Sequence, residues 1–340
     1  SYAKAPFICD FEGKVLFSFP QVCPWWSGNE PVKTRFRGLE TTNEVVSFSC
    51  DLAFPEGGVR VIEHDTGSVD ASGWSIRRRF EFPQGCARDL SLLLFAESGA
   101  TAVPRATGVQ VTSTNGVFEI TTSKGFSISA DREKVSYETL LITEDGTEKG
   151  FRPVKNEGEE LRARVAVPRK PEAFSIEVKM GHDASPSVQR AKPRAKPKPY
   201  TASSELRAPG GDESFKIEYF PLPTEAELLI TGMDWLPNGD LAICTWLGDI
   251  YVVQGATGDV RRATYKRIAS GLAEPLGLAI DNGEIFVVQK GELTRLLDTD
   301  HDGVLDRFEC INSSWGFSGN YHSYSFGPLI TPAHDLFVFV

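Results

Sequence analysis

The sequence predicts an all-β protein, with an N-terminal β-sandwich followed by the first two to three blades of an incomplete β-propeller. Three observations carry that expectation. The C-terminal third repeats a strand–turn–strand unit at a spacing of 45 positions (277 minus 232). The stretch before about residue 180 alternates apolar and polar residues in short runs broken by Gly, Asn and Pro, with no 3.6-residue period. Between them lies a tract that cannot bury a core.

The N-terminal runs read as strands at 14–19, 44–52, 59–63, 75–82, 90–95, 108–113, 117–122, 126–130, 138–143, 161–167 and 174–179. Their length and turn spacing fit a sandwich over residues 1–180. Asn115-Gly116, between two β-branched runs, is its clearest hairpin turn. Residues 181–211 are rich in Pro, Ala, Ser and Lys, with Arg190, Lys192, Arg194, Lys196 and Lys198 spaced by Ala and Pro. Prolines at that density favour an extended spacer, so the tract is expected to be a linker. A basic arm that docks on an acidic surface is the other reading of the same charges.

Residues 212–340 carry the repeat. Gly232-Met233-Asp234-Trp235-Leu236-Pro237-Asn238-Gly239-Asp240-Leu241-Ala242-Ile243 leads through a Gly-Asp turn into Ile250-Tyr251-Val252-Val253. Gly277-Leu278-Ala279-Ile280-Asp281-Asn282-Gly283-Glu284-Ile285-Phe286-Val287-Val288 leads likewise into Leu293 to Leu297, and a third copy runs from Ser325 into Leu336-Phe337-Val338-Phe339-Val340. Hairpins at a period of roughly 40–50 residues are the mark of propeller blades. A ring of about 4–8 blades does not fit in this length, so the chain reads as a fragment of something longer. The apolar end and the absence of an initiator Met at Ser1 agree with that expectation, a cleaved leader being the other explanation of the missing Met.

Composition bounds the function. Apolar content of 41% and charged content of 24% are ordinary for a soluble globular protein, and no run approaches the ~18 apolar residues of a membrane span. A net charge of −10 argues against a nucleic-acid partner, because phosphate binding draws on clustered Lys and Arg. The six cysteines (9, 23, 50, 86, 244 and 310) show no CxxC and no metal-ligand spacing. The first four suit either two disulfides of an exported protein or four buried thiols. There is no P-loop, GxGxxG, GxSxG or CxxCH.

The strongest motif is Asp298-Thr299-Asp300-His301-Asp302-Gly303-Val304-Leu305-Asp306-Arg307-Phe308-Glu309. Carboxylates at loop positions 1, 3, 5 and 9, Gly at 6 and Glu at 12 match the oxygen-ligand spacing of an EF-type Ca²⁺ loop, with Val304 at the seventh position. Asp298, Asp300, Asp302, Val304, Asp306 and Glu309 are therefore the expected metal residues. The flanking Leu293 to Leu297 reads as a blade strand, so the loop would be grafted between propeller strands and pin them; a solvated acidic turn is the alternative. His322, ahead of the third repeat, is the candidate general base at the propeller mouth, or else an ordinary hydrogen-bonded loop residue. Trp25-Trp26 suits a sugar-stacking platform or core packing. Trp235 and Trp246 read as blade packing, and Asp234 as a channel-facing or turn-accepting carboxylate.

The runs from Gly232 to Asp240, Gly248 to Val253, Gly271 to Leu278 and Leu297 to Gly303 carry a resemblance, weaker though present in Val45 to Phe82. The chain resembles large multidomain proteins of planctomycetes and their relatives, in which a β-rich region precedes a propeller similar to the glucose/sorbosone dehydrogenases, often followed by a c-type haem domain. In the soluble glucose dehydrogenases an Asn-His pair precedes an FGPDG turn, and that His removes the sugar hydroxyl proton while pyrroloquinoline quinone accepts hydride. Here the similar stretch is Asn320-Tyr321-His322 with Phe326-Gly327-Pro328, so the resemblance implies that His322 is the catalytic base. Tyr321 is inserted and Leu329 replaces the Asp of the turn. The quinone-holding Arg and Lys residues of that family come from later blades. The resemblance thus implies part of a periplasmic or extracellular quinoprotein-like oxidoreductase of sugars or related alcohols, inert by itself. A non-catalytic Ca²⁺-stabilised scaffold binding glycans or proteins is the alternative.

Overall fold

The computed structural model describes residues 24–42, 45–70, 73–145, 148–171, 173–181, 197–202, 220–316 and 324–340. Among them are strands and one short 3-10 turn (Val260–Arg262), so the protein is all-β. No described helix is long and apolar enough to cross a membrane. Two compact units divide the chain. One comprises the described residues of Glu12–Phe36 and Asn43–Arg190, the other Arg37–Thr42 and those of Ala191–Val340.

The first unit uses β1 (Trp25–Ser27), β2 (Glu30–Pro31), the start of β3 (Thr34–Thr42), β4 (Val45–Phe54), β5 (Gly57–Asp70), β6 (Gly73–Glu81), β7 (Leu90–Ser98), β8 (Thr101–Arg105), β9 (Gly108–Ser113), β10 (Gly116–Thr122), β11 (Ser127–Asp145), β12 (Glu148–Val167) and β13 (Phe174–Gly181). One sheet runs β11-β12-β7-β1-β2, and the other contains the order β4-β5-β6-β13-β10-β9-β8. Period-2 alternation puts Leu52, Val61, Phe80, Leu92, Leu94, Val111, Phe118, Ile120, Ala163, Val165, Phe174 and Ile176 into one buried cluster fed by both sheets. Each fully buried Val, Leu, Ile or Phe among them stabilises by about 1.5–3 kcal/mol.

Three local findings bear on the expectations. Asn115 precedes Gly116, whose φ of +137° closes the β9–β10 hairpin with Gly116 opposite Ser113. Trp25 is core: it is 3% exposed and meets Phe80 and Phe82 edge-on at 5.7 and 5.8 Å. Trp26, one position on, faces the other side, with the Arg164 guanidinium 5.1 Å from its ring. The runs expected at 126–130 and 138–143 are one strand, β11, paired without a register shift to β12 from Ser127↔Ala166 to Asp145↔Glu148. The polar stretch between those runs hid it, because a strand without one buried face loses the alternation.

The second unit holds the repeat as β14 (Tyr200–Thr201), β15 (Ile230–Trp235), β16 (Leu241–Thr245), β17 (Ile250–Gln254), β18 (Thr264–Ala269), β19 (Leu278–Asp281), β20 (Glu284–Val288), β21 (Leu293–Leu297), β22 (Arg307–Asn312), β23 (Phe326–Ile330) and β24 (Leu336–Phe339). The first blade is β15-β16-β17-β18 with β14 added outside β18. The second is β19-β20-β21-β22, and its outer edge is also covered, by Arg37–Thr42 through Glu40↔Arg307 and Gly38↔Glu309. Part of each blade's outer edge is thus paired, by Tyr200–Thr201 on β18 and by Gly38 to Glu40 on β22.

Blade packing follows the repeat. Ala242, Cys244 and Ile250 of the first blade bury against Leu278, Ile285 and Val287 of the second. Phe286, Val288 and Leu293 of the second receive Leu336 and Val338 of the third hairpin. The first blade's other face, with Ile243, Tyr251, Val253 and Tyr265, is covered by Tyr200, Ala202, Leu222 and Leu228. There the Tyr265 hydroxyl donates to the Pro221 carbonyl at 2.7 Å. Trp235 does not pack as expected, being 50% exposed on the inner strand. Asp234 acts as an acceptor: its carboxylate takes the Ile280 amide of the next blade and the Trp235 amide, both at 2.8 Å.

Candidate metal centre

The acidic motif forms the connection from β21 to β22. His301 and Gly303 take left-handed backbone conformations, φ +58° and +81°, which fold the loop back on itself. The Asp298 carboxylate then accepts the amides of Asp302 at 3.1 Å and Gly303 at 2.8 Å. Asp300 accepts the Asp302 amide at 3.2 Å, and Asp302 that of Val304 at 2.8 Å. These bonds draw one carboxylate oxygen from each of Asp298, Asp300 and Asp302 within 4.8 Å of one another.

The remaining motif residues do other work. Asp306, 8% exposed, accepts the Thr299 amide at 2.7 Å and the Thr299 hydroxyl at 2.6 Å, which braces the loop from inside. Glu309 lies on β22 opposite Arg295 and forms an ion pair with it at 3.4 Å. The structure therefore gathers three of the expected carboxylates and places two apart. The reason is the missing exit helix: in an EF-type loop the twelfth position is carried back by a helix, whereas a strand starting at Arg307 commits Glu309 to a cross-strand pair.

The loop is anchored on the neighbouring blade. Lys266 of β18 donates its ammonium to the Gly303 carbonyl at 2.7 Å, and the Leu305 amide donates to the Ile268 carbonyl, also at 2.7 Å. Sequence reasoning missed Lys266, because nothing local to the motif signals a partner from the preceding repeat. Hard carboxylate oxygens at this spacing suit Ca²⁺ or Mg²⁺, and three carboxylates plus waters supply part of the six to eight ligands that Ca²⁺ takes.

His322 lies outside the described residues, and so does the basic run from Arg190 to Lys196. The residues that flank the His322 segment sit at the opposite end of the second blade's strands from the acidic loop, since Asn312 pairs with Leu293 where β21 begins. There Lys290 and Glu274 form a buried ion pair at 3.4 Å, their side chains 10% and 7% exposed. The Lys290 carbonyl accepts from Ser325 Oγ at 3.1 Å and Trp315 Nε1 at 3.4 Å. Gln289 links the Ala273 amide to Thr294, each at 2.6 Å. Cys86 and Cys244 are buried thiols with no disulfide, and burial pushes the Cys244 thiol up, away from reactivity.

A shallow depression of about 510 Å³ on the first unit is lined by Ser27, Gly28, Glu56, Ala87, Arg88, Asp89 and Arg169. Its charges are spent on one another, Arg88 on Glu56 and Arg169 on Asp89. It offers no convergent polar group of the kind that orients a ligand.

No family model matches the chain, and no curated protein matches it. Among solved structures it is similar to the heparan sulfate lyase HepC from Pedobacter heparinus, at 11% identity and a TM-score of 0.31, over 72% of this chain and 30% of that chain. The chain thus spans 30% of that lyase's length, and a likeness so loose carries no argument. Fold and site together define an all-β protein with propeller-type blades and one acidic inter-strand loop.

Proposed function

We propose that the second unit is a Ca²⁺-braced propeller scaffold, with the cation held by Asp298, Asp300 and Asp302 as a clasp on the loop between β21 and β22. The observation that carries this reading is the convergence of those three carboxylates within 4.8 Å. Like charges so close repel in the absence of a cation. Calorimetric titration of Ca²⁺ into chelator-treated protein is the test. Wild type is expected to bind in the ~10⁻⁵–10⁻³ M range. Asp300→Asn is expected to weaken binding at least tenfold, and Glu309→Gln to leave it unchanged. Equal affinities for wild type and Asp300→Asn end the claim.

The resemblance extends this reading to a sugar- or alcohol-oxidising quinoprotein, in which His322 is the base and pyrroloquinoline quinone the acceptor. In its favour stands the Phe326-Gly327-Pro328 entry into the third hairpin, at the end of the blade where the Lys290 carbonyl holds Ser325. Dye-linked sugar oxidation with pyrroloquinoline quinone supplied, compared between wild type and His322→Ala, decides it. Activity that survives the substitution removes His322 as the base, and no oxidation by the wild type leaves the scaffold reading alone.

A further inference from the structure

The first unit contains a charged group that none of the above uses. Along β5 the residues Val59, Val61, Glu63 and Asp65 share one face by strand alternation, so the apolar stripe turns acidic halfway along the strand. Val61 is core, at 1% exposure. Register then places Asp65 opposite Arg78 and Glu63 opposite Phe80 on β6, with Val46 and Phe48 opposite them on β4. Arg78 is 9% exposed at its side chain, Glu63 18% and Asp65 26%.

Two carboxylates share one guanidinium unequally. Glu63 takes Arg78 at 2.5 Å, while Asp65 Oδ1 stands 3.8 Å from Arg78 Nε. That Asp65 oxygen is buried and has no hydrogen-bond partner. An ionised carboxylate left in such a place is costly, and a second anion beside it raises the cost. We propose that Asp65 holds a proton at neutral pH, shared toward Glu63, and that this proton makes the first unit a pH-sensitive element that tightens on acidification and loosens above neutrality.

Every influence that bears on Asp65 points the same way except one. Burial contributes most, then the negative Glu63, with Arg78 opposing, and together they push the carboxyl up from 3.8 to about 7. Among the described residues, β4 presents Val46 and Phe48 to this pair, and beyond Arg78 the next strand presents Ile176. His64, Arg79 and Glu81 belong to the other face of the sheet, where Arg79 and Glu81 pair at 2.8 Å. The sign follows from linkage. The folded unit takes up this proton as pH falls through about 7, whereas the unfolded chain waits until about 4, so stability rises as pH is lowered between those values and is lost on the way back up.

The test combines a direct and a differential reading. In carboxyl-selective ¹³C NMR of the folded chain, one Asp resonance, assigned by its absence in Asp65→Asn, is expected to titrate near neutrality. In urea unfolding, the folding constant of wild type is expected to grow about 10- to 100-fold between pH 8 and pH 5 relative to Asp65→Asn, allowing for screening by the exposed quarter of the side chain. Titration of that resonance below pH 5 overturns the proposal, and so does an equal pH slope for the two proteins. The NMR reading on wild type stands even where the variant folds poorly.

Discussion

The glycine that opens each repeat offers the sharpest test of the blade arrangement. Gly232, Gly277 and Gly327 lie where successive inner strands approach backbone to backbone. A Cβ placed on Gly277 would stand 2.0 Å from the Gly327 carbonyl oxygen, and one on Gly232 would stand 2.6 Å from the Gly277 Cα. Real Cβ atoms essentially never come closer than 3.0 Å, so Gly277→Ala requires a displacement of 1.0 Å or more (3.0 minus 2.0). The obstacle is main chain held in a neighbouring blade, which cannot rotate away as a side chain would. Forced overpacking of this kind costs about 1–3 kcal/mol, and the φ of +157° at Gly277 adds about 1–2 kcal/mol for any residue with a Cβ. A loss of about 2–5 kcal/mol is expected, a large share of the stability of an ordinary domain. Gly271→Ala is the control, because its φ of +90° is strained but its Cβ would meet nothing within 4 Å. Urea unfolding followed by tryptophan fluorescence compares the two. If Gly277→Ala costs no more than Gly271→Ala, the blades do not meet as described.

Two further predictions address the ends of the second blade. Asp306→Ala removes both acceptors of Thr299 and is expected to destabilise the unit by about 1–3 kcal/mol in the same urea assay, even with chelator present, because the carboxylate braces the loop without a cation. Lys290→Met strands the buried Glu274 carboxylate and is expected to cost about 3–5 kcal/mol, most of it recovered in the double variant Lys290→Met/Glu274→Leu, measured as a double-mutant cycle.

Much of the second unit is legible in the sequence. The Asn-Gly turns and the alternation on either side of them act within a dozen residues, so β15–β16 and β19–β20 appear where the repeat predicts them. The acidic loop was legible for the same reason, as far as Asp302. Glu309 was not, since its partner Arg295 lies across a ladder that the motif does not mention. Charges at 63 and 65, in phase with Val59 and Val61, were a readable sign of a polar group on a buried face. What they meet there was not readable.

The sequence alone determined the class: alternation with period 2, turn residues at fixed offsets and the absence of a helical period leave only strands to form. The tertiary structure decided which strands join which sheet. Arg37–Thr42 shows it most plainly, a polar run without alternation that becomes the outer strand of a distant blade, its backbone laddered to β22 and Glu40 paired at 2.6 Å with Arg307, 267 positions further along the chain. Periodicity is a property of neighbours along the chain, whereas register, ion pairing and the gathering of carboxylates depend on which distant segments meet.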